Sequence, residues 1–305
     1  LHQAYGGCPK GQQHNTITNI IQLEAGEYKL NKELQPNSAI TIRGKLPEDY
    51  TRPNAITDIY PAATVLKTTI SGQNNSRIFN TTNLNKPSLA LQHLLLKDAK
   101  SADLGGALFV GGALDLFDVS VVNANAKKGG AIYLNDVNSA LTIHGGEFSA
   151  NNAETGSIFA MSCMDNLQYT QRNISLTTST YIANGSAQSQ SIFDFCGQPA
   201  ATMSSNTIPL NTVNTTTGSI VKFHSEPISE ISTFSRSSNL KLLSNTIVKN
   251  SAQAILAYNT AGVKNLNFNV IGFNNAKACR FTDGDVSQLA FNLKNLLQLR
   301  IGQAH

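Results

Sequence analysis

The chain has 305 residues, of which 14% are charged, with a formal net charge of +4 and no Trp. Its basic residues are scattered, which argues against a nucleic-acid-binding surface, and no segment has the ~18 consecutive apolar residues of a membrane span. The abundance of Asn, Ser, Thr and Gly favours a secreted all-β protein with polar turns over a cytosolic α/β enzyme.

The N-terminal part of the chain is a series of short β-type runs separated by turns. Residues 1–16 are polar and are expected to form a lead-in or cap before the first coil. Two runs, 17–23 and 27–30, flank a turn at Gly26, and a strand of alternating character follows at 39–44. The sequence therefore predicts that repeated short strands begin near residue 17.

A repeated motif occupies the centre of the chain. Gly-Gly-Ala-Leu-Phe at 105–109 returns as Gly-Gly-Ala-Ile-Tyr at 129–133 and as Thr-Gly-Ser-Ile-Phe at 155–159. Six such repeats align in three columns. The small column is Ala107, Ala131, Ser157, Ser191, Ser219 and Ala254; the aliphatic column is Leu108, Ile132, Ile158, Ile192, Ile220 and Ile255; the bulky column is Phe109, Tyr133, Phe159, Phe193, Val221 and Leu256. Short β-rich units at a period of 20–50 residues indicate a solenoid.

An asparagine recurs three residues after an apolar residue in successive repeats. The predicted column contains Asn125, Asn151, Asn184 and Asn250, with Asn211 and Asn214 in the remaining coil, of which Asn214 is assigned to the ladder. Asparagines stacked at a tight bend can form an amide ladder along the coils, and the alternative is ordinary turn chemistry without a continuous ladder. Either interpretation places a corner of each coil here. The Gly-Gly pairs are expected to mark bends that need positive φ.

These patterns predict an all-β fold, a single-stranded parallel β-helix of roughly ten coils, over residues 17–281. If the bulky column faces the core, some of the isoleucines face outward, as an exposed binding stripe or beneath a loop. From Val286 the apolar spacing fits a helix, with Asp285 as N-cap and Gln288 completing a capping box. Residues 282–305 are therefore predicted to form an amphipathic helix and tail that cap the last coil, the alternative being a helix on a membrane surface.

The four cysteines are predicted to form two disulfides in an oxidising compartment. They are Cys8, Cys163, Cys196 and Cys279. Three connectivities are possible, which include Cys163–Cys196 and Cys196–Cys279, and the alternative is four separate buried thiols. Because no CxxC pair is present and no His follows at zinc spacing, no metal site is expected.

The repeats resemble a known group of proteins. The Gly-Gly-Ala-(Leu/Ile) motifs, with the Phe148-Ser149-Ala150-Asn151 match, are similar to the GGA(I/L/V) and FxxN repeats of polymorphic outer-membrane-protein passengers. The runs 20–30, 244–248 and 269–274 also resemble large secreted bacterial β-helix proteins that carry C-terminal sorting anchors. The resemblance implies a right-handed β-helix, export to the bacterial cell surface and a place within a larger protein.

The polar set with the best candidate chemistry is Lys222, His224 and Glu226, which a period of two places on one strand face. Such a set could act as a general base or bind an anionic ligand, and the alternative is a solvated outer face. Acids are sparse, and the tight pair Asp283 and Asp285 fits helix capping better than the paired carboxylates of a glycosidase. No catalytic constellation is assembled by the sequence.

The preferred function is a non-enzymatic extracellular or cell-surface module for adhesion, display or ligand binding. Its expected partner is a protein or glycan of a host or neighbouring cell, and the expected state is a monomer without a cofactor. The alternatives are a β-helix polysaccharide lyase or glycosidase, and an oligomeric fibre segment of the tailspike kind.

Overall fold

The computed structural model describes residues 19–46, 66–163, 171–225, 237–258, 260–281, 289–294 and 297–299. In that part of the chain every regular element is a β-strand. The strands belong to three long parallel sheets, named A, B and C, and to one short pair.

Each long sheet stacks its strands in chain order, one strand from each coil. Sheet A contains β1 (Asn19–Gln22), β3 (Ile40–Arg43), β6 (Leu89–Gln92), β9 (Ala113–Phe117), β13 (Ala140–His144), β17 (Arg172–Thr177), β20 (Pro199–Ser204), β23 (Asn239–Leu243), β26 (Gly262–Asn267) and β29 (Leu289–Lys294). Sheet B contains β2 (Gly26–Lys29), β4 (Thr68–Ser71), β7 (Leu95–Lys97), β10 (Ser120–Val122), β14 (Glu147–Ser149), β18 (Thr180–Ile182), β21 (Thr207–Pro209), β24 (Thr246–Val248), β27 (Val270–Gly272) and β30 (Leu297–Leu299). Sheet C contains β5 (Phe79–Asn80), β8 (Leu108–Val110), β12 (Ile132–Leu134), β16 (Phe159–Met161), β19 (Ser191–Cys196), β22 (Ser219–His224), β25 (Ser251–Tyr258) and β28 (Asn275–Phe281), and the short pair is β11 (Asn125–Lys128) with β15 (Asn152–Thr155).

The chain visits the three sheets in the same order in coil after coil, passing from A to B to C. Each strand pairs in parallel with the equivalent strand of the next coil. Sheets A and B each contain ten strands, so the predicted parallel β-helix of roughly ten coils is confirmed. The solenoid grows by stacking, since each coil packs only on its neighbours.

Strict alternation in the strands builds the core. In β9 and β13 the leucine and isoleucine side chains at alternate positions are buried, whereas Asp115 and Thr142 between them are exposed. Leu114 lies in register with Leu141, and Leu116 with Ile143. Burial of one such side chain stabilises the fold by roughly 1.5–3 kcal/mol, so the stacked interior rows supply much of the stability.

The predicted columns are correct in part. Phe159, Phe193, Val221 and Leu256 align in register, and so do Ser191, Ser219 and Ala254. Between the second and third repeats the alignment slips by one residue, because Ile132 pairs with Phe159 and not with Ile158. The same register holds upstream, where Asn125 pairs with Asn152 and Lys128 with Thr155, so the motif at 129–133 corresponds to residues 156–160 and no residue is inserted here.

The predicted exposed aliphatic stripe is wrong. Ile158, Ile192, Ile220 and Ile255 are all buried in the main core. Ile192, Ile220 and Ile255 lie within strands of sheet C and Ile158 directly precedes one, and the bulky residue that follows each of them is buried as well. No binding surface follows from these isoleucines.

The Gly-Gly motif has two different structural tasks, illustrated by Gly129 and Gly130. Gly129 has a φ of +65°, as predicted for a bend. Gly130 has ordinary φ, but a Cβ there would lie 2.2 Å from Ser157 O of the next coil. The first glycine therefore serves backbone conformation, and the second serves close stacking of neighbouring coils.

A buried asparagine ladder runs along the corner between sheets B and C. Its members are Asn151, Asn184, Asn211, Asn250 and Asn274. In each step the Nδ2 of one residue donates to the Oδ1 of the next at 3.0 Å, and the backbone N–H donates to the same oxygen. The ladder prediction is confirmed for Asn151, Asn184 and Asn250, and Asn211, not Asn214, holds the position in the remaining coil.

Two predicted members lie outside this ladder. Asn125 is exposed in β11, and the preceding residue Ala124 occupies the ladder position, where its N–H donates to Asn151 Oδ1 at 2.9 Å. Asn214 lies in a turn, where its side chain accepts from Thr216 and Thr217. The ladder position directly follows a residue in the left-handed region, and counting from an apolar residue misplaces it.

A second, unpredicted ladder follows the corner between sheets A and B. Asn206 Nδ2 donates to Asn245 Oδ1, and Asn245 Nδ2 donates to Asn269 Oδ1, both at 3.0 Å. Residues with positive φ precede these asparagines, namely Ser205, Ser244 and Phe268. The two ladders satisfy buried backbone groups at both corners.

The predicted C-terminal helix is wrong where the structure describes the chain. Residues 289–294 form β29, which pairs in register with β26, and residues 297–299 form β30 on β27. The run Leu289, Phe291 and Leu293 alternates as well as it fits helical spacing, and the open edge of β26 supplies hydrogen-bond partners that favour the strand. The predicted cap residues Asp285 and Gln288 lie outside the described residues, as does the lead-in at 1–16.

Candidate functional site

The outer face of sheet C carries the cluster of interest. In β19 and β22 the inward residues are aromatic or aliphatic, and the rings of Phe195 and Phe223 stack with centroids 4.6 Å apart. The alternate residues lie on the opposite face of these strands, where Asp194 and Cys196 are themselves buried. Asp194 pairs in register with Lys222, and Cys196 pairs with His224.

Asp194 and His224 form a short ion pair, with Oδ1 and Nε2 separated by 2.6 Å. The second carboxylate oxygen, Oδ2, accepts from the Ser191 hydroxyl at 2.8 Å. Asp194 is only 2% exposed, so both of its oxygens need these partners. Burial alone would raise the pKa of Asp194, but the His224 charge and hydrogen bond, the Lys222 charge and the Ser191 hydrogen bond together hold it below its usual range.

The other nitrogen of His224 faces a disulfide. Cys163, two residues beyond the end of β16, is bonded to Cys196 in β19, and their Cα atoms are 4.8 Å apart. His224 Nδ1 lies 3.7 Å from Cys196 Sγ. Cys196 is fully buried, whereas Cys163 is half-buried. The disulfide therefore has one sulfur within reach of solvent and one sulfur beside the imidazole.

Arg172 fixes the backbone on both sides of the disulfide. Its guanidinium donates to Cys196 O at 3.0 Å, to Ser162 Oγ at 3.0 Å and to Ser162 O. Burial lowers the pKa of Arg172 to about 10, against the opposing charges of Tyr133 and Asp136. Arg172 remains a cation at neutral pH, and it connects β17 of sheet A to the backbone next to Cys163 and to the backbone of Cys196 in β19.

Cys163, Cys196 and His224 also place three potential metal-ligating atoms within 4.8 Å of one another. The two sulfurs are bonded to each other, so neither offers a thiolate. In this oxidation state the cluster is a disulfide next to a carboxylate-held imidazole, not a metal site.

One disulfide of the candidate connectivities is thus confirmed, and the pairing of Cys196 with Cys279 is wrong. Cys279 is a free, half-buried thiol, and burial raises its pKa to about 11. Cys8 lies outside the described residues. The confirmed disulfide is compatible with an oxidising, extracellular compartment.

The sequence identified part of this cluster. Lys222 and His224 lie together on one strand face as predicted, while Glu226 lies outside the described residues. The partners that the sequence missed, Asp194 and Cys196, were visible in the column alignment. Once Phe193 is aligned with Val221, the following residue Asp194 falls beside Lys222.

Three of the acids that the structure describes each contact a residue that is not an acid. Asp98 accepts from Asn123 Nδ2 at 2.7 Å, Asp136 pairs with Lys86, and Asp118 lies 3.5 Å from His93. Each of these carboxylates is engaged by a residue that is not an acid, whereas glycoside hydrolysis needs two carboxyl groups across one bond.

A second surface feature is the outer face of sheet A, where mostly polar side chains align across coils. Asp115, Thr142, Ser175, Thr202 and Lys241 form one row in register, and Phe117, His144, Thr177 and Ser204 form the next. We call these two rows together the polar strip. His144 Nδ1 and Thr177 Oγ1 are 2.9 Å apart, and the Phe117 and His144 rings stack with centroids 5.5 Å apart.

Comparison with known proteins found no matching family, no matching curated protein and no matching solved structure. Among the residues described, the structure contains no helix that could cross a membrane.

Proposed function

We propose that this chain is a non-enzymatic surface module of an exported protein, and that its polar strip binds an extended glycan. The observation that carries the proposal is the register of the strip. Across β9, β13, β17, β20 and β23 the same outward positions repeat at the strand spacing of ~4.8 Å. A surface that repeats in one dimension is matched by a ligand that repeats in one dimension.

The chemistry of the strip favours neutral sugars. Its middle members, Thr142, Ser175 and Thr202, are hydroxyl-bearing and lie between one acid, Asp115, and one base, Lys241. Hydroxyl groups both donate and accept, as sugar hydroxyls do. The rigid sheet beneath them keeps these groups in place, so little side-chain ordering opposes binding.

The resemblance of the repeats to surface-displayed bacterial β-helices supports an extracellular location, and so does the Cys163–Cys196 disulfide. The chain acts as a monomeric display scaffold whose partner is a glycan of a host or neighbouring cell. The carbohydrate-active enzyme is disfavoured because Asp98, Asp118 and Asp136 each contact a residue that is not an acid.

A glycan array followed by calorimetric titration tests the proposal. Thr142→Ile places a branched apolar side chain on the strip and is expected to weaken binding about tenfold or more, by leaving sugar hydroxyls without a partner. Thr207→Ile is the matched control, because Thr207 is also exposed but lies on the outer face of sheet B. Equal affinity of both variants, or release of unsaturated sugar from any polysaccharide, would contradict the proposal.

A further inference from the structure

We propose that the Cys163–Cys196 disulfide is a thiol-exchange site, in which an external thiol attacks Cys163 and the His224–Asp194 pair stabilises the departing Cys196 thiolate. This inference is independent of glycan binding. It rests on the different surroundings of the two sulfurs and on the position of the imidazole.

Access decides which sulfur is attacked. Thiol–disulfide exchange proceeds by attack of a thiolate along the sulfur–sulfur axis, and its rate depends on which sulfur an incoming group can reach. Cys163 is half-buried and Cys196 is fully buried, with backbone atoms of Cys196 held by Arg172. An external thiolate can therefore approach Cys163 and not Cys196.

The leaving group is Cys196 Sγ, because the imidazole beside it can stabilise a negative charge on this sulfur. Cys196 Sγ lies 3.7 Å from His224 Nδ1, and Nε2 on the opposite side of that ring is held 2.6 Å from Asp194 Oδ1. In the imidazolium form the Nδ1–H donates to the emerging thiolate while the buried carboxylate stabilises the ring's charge. The charged groups of the described chain that face this cluster are Asp194 from β19, Lys222 from β22 and Arg172 from β17.

The reaction balances without a further reagent. The thiol loses its proton to solvent and its sulfur forms a bond to Cys163 Sγ, as the bond between Cys163 and Cys196 breaks. Cys196 keeps the electron pair and takes a proton from His224. The product is a mixed disulfide at Cys163, which a second thiol can release as a new external disulfide.

The substrate class is a thiol, either a small monothiol or a cysteine side chain of a partner protein. With a partner protein, the mixed disulfide would be a covalent bond between this module and its partner. The two sources share the same chemistry at Cys163 and differ only in what surrounds the attacking sulfur.

The experiment begins with the folded full chain, whose free thiols are first blocked with iodoacetamide. Reduced glutathione is then added, the reaction is quenched with N-ethylmaleimide, and the adducts are located by peptide mass spectrometry. The expected result is glutathione on Cys163 and maleimide on Cys196. Glutathione on Cys196, or no adduct unless the chain is denatured, would overturn the proposal.

The role of the imidazole is tested by rate. His224→Ala is expected to slow adduct formation about 100-fold at equal thiolate concentration. His93→Ala is the matched control, because His93 also lies beside a carboxylate, 3.5 Å from Asp118, at the corner between sheets A and B, and it should react like the unaltered chain. If His224→Ala reacts as fast as His93→Ala, the leaving-group role is refuted, and the location of the adduct in the unaltered chain remains an independent test.

A peptide with a single cysteine, added in place of glutathione, separates the two sources. Faster reaction of the peptide at equal thiolate concentration assigns a protein thiol as substrate, and slower or equal reaction assigns a small thiol. Both results support exchange at Cys163. Failure of both thiols to react with the folded chain would overturn it, whatever the outcome of the glycan array.

Discussion

Asp194 and His224 are 30 residues apart in sequence, yet their side chains meet at 2.6 Å on the outer face of sheet C. The meeting follows from the coil register, which sets Asp194 beside Lys222 and Cys196 beside His224. Asp194 is a buried anion whose two oxygens both have partners, since Oδ2 accepts from Ser191. Removal of its charge would leave His224 and Lys222 without the anion that faces them.

Asp194→Asn is expected to destabilise the protein at neutral pH by about 3 kcal/mol, because one partner of a buried pair is lost. The Asp194 pKa is lower in the folded chain than in the unfolded chain. Its contribution is therefore complete above the unfolded-state pKa and is lost as pH falls through the folded-state value. Urea unfolding at neutral pH and at about pH 3 should show a gap between variant and unaltered chain that narrows in acid.

The matched control is Asp115→Asn, which alters an exposed carboxylate on the polar strip. Its unfolding free energy should stay within about 0.5 kcal/mol of the unaltered chain. Equal effects of the two substitutions at neutral pH would show that the Asp194–His224 pair does not stabilise the fold.

Lys264 provides a second pH dependence of stability, on the alkaline side. Its Nζ is buried and donates to Ser238 O at 2.8 Å and Ala261 O at 2.9 Å. Burial lowers its pKa from 10.5 to about 7. Above the folded-state value the unfolded chain holds a proton that the folded chain has released, so the stability rises with pH, by up to ~1.4 kcal/mol per pH unit for this one proton.

Lys264→Met should remove that slope in urea unfolding measured from about pH 7 to about pH 8. Burial raises the pKa of the Cys279 thiol to about 11, so this thiol stays protonated in the folded chain over that range. Lys241→Met is the matched control, because Lys241 is exposed on neighbouring β23. An unchanged slope in Lys264→Met would mean that Lys264 keeps its proton in the folded chain across this range.

The asparagine ladder gives a test of the corner between sheets B and C. Asn211 Oδ1 accepts from both the N–H and the Nδ2 of Asn184, and its Nδ2 donates to Tyr181 O at 2.8 Å. Asn211→Ala leaves these buried groups without partners and should cost about 3 kcal/mol in the free energy of unfolding.

Asn125→Ala is the control, since Asn125 is exposed and its side chain lies outside the ladder. Thermal and urea unfolding should place this variant within about 0.5 kcal/mol of the unaltered chain. A loss of stability equal to that of Asn211→Ala would contradict the assignment of the ladder.

The repeats could be recognised from sequence because parallel stacking places like residues on like residues, as with Phe193 beside Val221. That Asn125 lies outside the ladder could not be recognised from sequence, because the ladder position is determined by backbone conformation. The residue before it has positive φ, as at Asn123 before Ala124. At the C-terminus, the run from Leu289 to Lys294 fits helical and strand periods equally. The strand forms because the run pairs with the edge of β26, and this long-range pairing cannot be read from the local sequence pattern.

Only part of the candidate site could be predicted from the sequence. Lys222 and His224 are neighbours in sequence, so alternation alone brings them together. Asp194 and Cys196 join them only through the register of β19 on β22, and Cys163 joins through a disulfide that sequence reasoning left among several connectivities. The chemistry of the cluster arises between coils, and a correct column alignment is the signal that could have found it.

The Cys163–Cys196 disulfide should contribute to stability as well as to exchange. It closes a loop with a sequence separation of 33 residues. Constraining a loop of that length in the unfolded chain is worth about 3–4 kcal/mol. The double variant Cys163→Ala/Cys196→Ala should lose a stability of this order in urea unfolding, whereas Cys279→Ala, which removes a half-buried free thiol, should lose less. If the double variant unfolds at the same urea concentration as the unaltered chain, the disulfide serves exchange without supporting the fold, because the stacked core and the two ladders already hold β16 and β19 together.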